Sequence, residues 1–170
     1  MRTLSIFLVV LLSLSGCSWE RRVKHLSDVE FDHYSALKVW MTEGEQKAYL
    51  KFKDTADRDS YLQDLGLWDR YYKLTENQKA QVNGGEVEPG WSRDMVLMAW
   101  GQPHDTQKLV GRPAKRSERL GYRFEMHEGG VVYVWRPEAK TDYKAIKLFR
   151  KDVILDDDVV SEIRKQDRWE

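Results

Sequence analysis

Hydrophobic and polar positions change their period along this chain, and each change marks a different kind of segment. Residues 4–14 form an apolar run broken only by serine. It is shorter than the roughly 20 apolar residues a membrane-spanning helix needs. From 27 to 83 the apolar positions recur at helical spacing, through Tyr49, Leu50, Phe52, Tyr61, Leu62, Leu65, Leu67, Trp68, Tyr71 and Tyr72. Start signals divide this stretch into four or five short helices. Ser27 with Glu30, Thr42 with Glu45 and Thr75 with Gln78 each form a capping box, in which the hydroxyl and the later side chain satisfy two orphan amides. Thr55 is expected to cap another helix, Gly66 to close one in a left-handed turn, and the run from Asn83 to Gly85 to end the last.

Beyond Gly101 the period shortens to two. The segments 104–111, 118–126, 131–138 and 142–155 alternate or run in β-branched and aromatic residues, predicting three or four antiparallel strands. His127 to Gly130 reads as a tight hairpin turn, and Tyr122, Phe124 and Met126 should share one face. Asp156, Asp157 and Asp158 precede basic residues, an order that suits a helix dipole, so residues 156–170 are expected to form a last helix. The fold class expected is α+β: short helices packed on a three- to four-stranded antiparallel sheet, with an N-terminal helical extension.

The stretch GWSRDMVLMAWGQP, Gly90 to Pro103, joins the two halves. Ser92 is a candidate N-cap, and Asp94 lies in the favoured first turn. Met95, Val96, Met98, Ala99 and Trp100 make an apolar stripe, Gly101 stands at the helix end, and Pro103 prevents the helix from resuming. With the strands that follow, this stretch resembles the BamE-like (SmpA/OmlA) outer-membrane lipoprotein domain. Gly90, Ser92, Val96, Gly101 and Pro103 match its pattern, while Trp91 and Trp100 replace a methionine and a leucine. The resemblance covers residues 87–155; the helical stretch 27–86 has no counterpart in small members of that family. It implies helices against an antiparallel sheet. It also implies a non-catalytic role beside outer-membrane β-barrel assembly, with contacts to partner lipoproteins and anionic lipid.

The N-terminal run gains meaning from what surrounds it. Arg2 precedes it, and Leu14, Ser15, Gly16 and Cys17 follow in the form of a lipobox, so residues 1–16 read as an export signal. A lone cysteine is ordinarily a buried thiol or a nucleophile. Cys17, directly at the end of the signal, reads as the lipidation site, with residues 17–26 as a basic tether carrying Arg21, Arg22 and Lys24. Ser18 follows the cysteine where an aspartate would signal retention, which implies the outer membrane, facing the periplasm, or the plasma membrane of a single-membrane host. The divisions are therefore 1–16 signal, 17–26 lipidated tether, 27–86 helical region, 87–155 α+β domain and 156–170 C-terminal helix.

Charge narrows the classes of partner. The 28 Lys and Arg balance the 28 Asp and Glu, so no global field recruits nucleic acid. His25, His33, His104 and His127 make no helical i, i+4 pair, and the three aspartates at 156–158 lack the glycine and distal glutamate of a calcium loop. Glu125 and Glu128 beside His127 straddle a turn. No nucleophile elbow or phosphate loop occurs. The expectation is a non-enzyme with no cofactor and no metal. One local excess remains: Lys108, Arg112, Lys115, Arg116 and Arg119 crowd one connection with Glu118 as the only acid among residues 108–119. Arg112, Lys115 and Arg116 are the candidate contacts for an acidic partner or lipid. The function expected is a lipid-anchored, protein-binding scaffold lipoprotein whose partners are envelope proteins such as outer-membrane assembly components. The alternative is an inhibitor or immunity-type binder of a single secreted enzyme.

Overall fold

A computed structural model describes residues 21–136 and 145–169. The expected signal, Cys17 and the first part of the expected tether lie outside the described residues. The helices are α1 (Asp28–Leu37), α2 (Glu43–Tyr49), α3 (Thr55–Asp64), α4 (Trp68–Tyr72), α5 (Glu76–Gly84) and α6 (Arg93–Trp100). A 3-10 turn, Lys38–Trp40, extends α1. The strands are β1 (Asp105–Leu109), β2 (Ser117–Met126), β3 (Val132–Val134), β4 (Lys147–Asp156) and β5 (Val159–Gln166).

All three capping boxes form. Ser27, Thr42 and Thr75 each accept from the amide three residues on, while Glu30, Glu45 and Gln78 accept from the cap amide. Thr55 does not cap. Asp54 takes the N-cap position, and the Thr55 hydroxyl donates instead to Glu30 Oε1 at 2.7 Å. Glu30 is buried and also receives Arg58 Nη1 at 2.5 Å, so α1 and α3 are joined by a paired, buried charge. Burial pushes the Glu30 carboxyl up, but hydrogen bonds from Ser27, Thr55 and Arg58 outweigh it and hold the group at about 2. Gly66 and Gly85 adopt the left-handed conformation expected of helix stops.

The sheet is antiparallel throughout. β4 pairs along the whole of β2, and β5 pairs with β4. β1 and β3 therefore lie end to end on the other edge of β2, β1 against Ser117–Gly121 and β3 against Phe124–Met126. Direct cross-strand neighbours share a face. Leu120, Tyr122 and Phe124, with Val153 and Phe149 opposite, form the helix-facing side. Met126 follows them in alternation, half-buried. Trp100 of α6 meets Tyr122 and Phe124 edge-on, with ring centres 5.1 and 5.0 Å away. The opposite face carries Arg119 and Arg150, both paired with Asp105 and Asp152. Gly121 lies beneath that network, where a Cβ would stand 2.5 Å from Arg150.

Two expected elements differ. Residues 156–170 contain β5 rather than a helix. Asp157 and Asp158 have φ of 48° and 67°, making a two-residue hairpin turn between Asp156 and Val159. Aspartate tolerates that backbone, and Val160 and Ile163 pack toward the core as a strand. This fifth strand enlarges the expected three- to four-stranded sheet. The basic segment before Ser27 is not wholly a tether, because residues 21–24 form a helical turn and Val23 and Leu26 pack against the core. One buried cluster contains Leu37, Tyr71 and Val82 from the helices with Trp100, Tyr122 and Val153, so residues 27–86 share their core with the sheet.

Candidate functional site

The basic connection is largely neutralised within the fold. Arg112 forms a bidentate pair with Asp156, Nε to Oδ1 at 2.9 Å and Nη2 to Oδ2 at 2.6 Å. The Arg112 hydrogen bonds hold the Asp156 carboxyl well below the usual carboxylate range. Arg116 pairs with Asp158, and its backbone amide donates to Asp157 Oδ1 at 3.0 Å. Arg119 contacts Asp105 and Asp152. Lys115 is exposed and, among the described residues, has no ion pair. Of the three candidate contacts, the structure commits Arg112 and Arg116 to the β4–β5 turn and leaves Lys115 facing solvent. The acids that pair with them come from residues 156–158, beyond any local charge count.

A different concavity lies where the helical half meets the sheet. Two facts of the chain build it. The ends of β1 and β3 meet on the β2 edge, where the amides of His104 and Trp135 donate to Gly121 and Arg123 carbonyls at 2.8 Å each. Their rings touch edge-on, 5.5 Å apart. Opposite them stands the last turn of α1, continued by the 3-10 turn that carries Lys38. Gln46 of α2 braces this wall by donating to the Lys38 and Met41 carbonyls at 3.1 Å each. Gln102 bridges across to the Val39 carbonyl at 3.3 Å.

The result is a cleft of about 460 Å³ between Lys38, Met41, Gln46, Gln102, His104, Trp135 and Arg136. A second lobe of about 390 Å³ adjoins it, lined by Val23, Lys24, Phe31 and Tyr34. Lys38, Gln46 and Arg136 line both lobes. Among the described residues, no carboxylate lines either one. Lys38 and Arg136 have no ion pair among the described residues, and burial together with the Arg136 charge pushes the Lys38 ammonium down to about 8.

Gly101 explains why Arg136 fits there. Its backbone has φ 76° and ψ −158°, a region essentially restricted to glycine rather than the left-handed turn expected of a helix stop. A Cβ at this position would stand 2.6 Å from Arg136 Nη2. The Tyr122 hydroxyl donates to the Gly101 carbonyl at 3.0 Å, fixing the loop from the sheet side. The rest of the Gly90–Pro103 stretch is structural. Ser92 accepts from the Met95 amide, and Trp100 donates to the Gly85 carbonyl at 2.8 Å. Gly90 N–H and Val160 N–H tie the segment to β5.

Lys38 and Arg136 were not among the residues singled out from sequence, because each lies in a different half and neither belongs to a charge cluster. Glu125 and His127 approach at 3.4 Å on the far strand end, with Tyr133 against the imidazole. Among the described residues, no group of three or more His, Cys, Asp or Glu could hold a metal ion. No helix among them is long and apolar enough to cross a membrane. No family model matches the chain, and neither a curated protein nor a solved structure matches it.

Proposed function

We propose that the chain is a lipid-anchored lipoprotein of the outer membrane, facing the periplasm, that binds other proteins during envelope assembly, β-barrel assembly in particular. The observation that carries the binding role is the open cleft between the helical half and the sheet, with Lys38 and Arg136, neither ion-paired among the described residues, and the Gln46 amide at its waist. Concave, mixed apolar and polar sites of this size are the usual form of a recognition pocket. The lipobox ending at Cys17 supports the anchor, since acyl chains stabilise membrane attachment by about 0.8 kcal/mol per buried CH₂. The resemblance of Gly90 to Pro103 and the following strands to the BamE-like domain supports the envelope role, by analogy of fold and site. The exposed Lys115 loop, near neither lobe in sequence, offers a second contact.

In-cell crosslinking from a photoreactive residue at position 115, with Cys17 intact, tests the role. Capture of barrel-assembly components is the expected result. Capture of one soluble enzyme at unit stoichiometry would replace the scaffold with an inhibitor or immunity-type binder.

A further inference from the structure

We propose that Lys38 and Arg136 receive a carboxylate side chain from the middle of an extended segment of a partner protein, whose flanking residues lie in the two lobes. The inference rests on the protein-binding role above and names what the cleft recognises.

The position of the charge decides the shape of the ligand. Both cations line both lobes and Lys24 lines the second alone, so the positive charge is densest at the waist and extends into one lobe. A free anion or the head of a lipid would occupy the waist and leave at least one lobe unfilled. An acidic residue within a chain has neighbours on both sides, and an extended chain advances about 3.3–3.6 Å per residue, enough to enter both lobes. The walls suit such neighbours. Val39, Met41 and Trp135 offer apolar contact on one side, and Val23 and Phe31 do so on the other.

The site is also built before the ligand arrives. Gly101 clears the space that the Arg136 guanidinium uses. Lys38 lies over the Tyr34 ring, 5.5 Å from its centre, which holds the ammonium at the cleft wall. Two like charges held close with no counterion among the described residues favour any ligand that supplies one, and the partial burial of Lys38 raises the penalty for leaving it unpaired. Arginine can take a carboxylate through two parallel hydrogen bonds, which selects a planar anion.

Random displayed peptides, panned against the full chain purified in detergent, test the proposal. The enriched sequences are expected to share an internal Asp or Glu flanked by apolar residues. Changing that acid to its amide should weaken binding about tenfold or more. The paired substitution Lys38→Met and Arg136→Gln, checked for an unchanged melting temperature, should weaken it equally. Lys38→Met keeps the aliphatic stem, so the helix-side wall stays packed. If the paired variant fails to fold, Arg136→Gln alone, at an exposed position, serves the same test. Enrichment of acid-free peptides, no enrichment, or peptides indifferent to both substitutions would overturn the proposal. So would a wild-type chain that binds phosphatidylglycerol vesicles through Lys38 and Arg136 while no acidic peptide is enriched. None of these outcomes removes the protein-binding role, which the crosslink at position 115 tests separately.

Discussion

His33 shows how much one side chain can carry in this molecule. It is 2% exposed and is ringed by Trp68, Tyr71 and Tyr72. Its Nε2 lies 2.8 Å from the Tyr72 hydroxyl and its Nδ1 3.7 Å from Asp59. Burial pushes the imidazole below its ordinary value, opposed by Asp59 and Asp32 and reinforced by Lys79. The folded state therefore binds the proton less readily than the unfolded chain. The stabilising contribution of neutral His33 is complete above about pH 6.5 and is lost as pH falls through the lower folded value. Unfolding free energy measured by denaturant should fall between pH 7 and pH 5, and His33→Gln should flatten that slope. A slope that His33→Gln leaves unchanged would assign it to other groups.

At the scale of elements, the local signals were legible and the long-range ones were not. Three capping boxes and the Ser92 cap act within three residues, so spacing alone reveals them. The strand alternation of Tyr122 and Phe124 was equally plain, because the period of two shows in the residues themselves. β5 was hidden. Its acidic start and basic later residues imitate a helix dipole, whereas the carboxylates of Asp156 and Asp158 are taken by Arg112 and Arg116 from across the sheet. The same pairing changes the meaning of the basic connection. Arg112→Glu sets a carboxylate against Asp156 and should lower the melting temperature. Lys115→Glu should leave it unchanged. Adding Asp156→Arg to the Arg112 variant should recover much of the loss. Equal melting temperatures for the two single variants would show that the Arg112 pair contributes nothing in solution.

For the whole molecule, the decisive fact is that the helical half and the sheet form one body. Leu37, Tyr71 and Val82 share a buried cluster with Trp100 and Tyr122, and Arg70 pairs with Asp94 at 2.8 Å across the two halves. The cleft exists only because these halves meet, which is why neither half's sequence disclosed it. Lys38 comes from the helical side and Arg136 from the end of β3, with the Gly101 loop between them. Anchoring at Cys17 would keep this cleft near the membrane surface, where envelope proteins assemble. The most direct measurement places a photoreactive residue at Gln102, inside the cleft, and compares captured proteins in cells carrying Cys17 or Cys17→Ser. Capture of envelope-assembly proteins that collapses without the anchor is the predicted result. No capture at the cleft, or the same capture by an unanchored chain, would contradict a membrane-tethered protein-binding role.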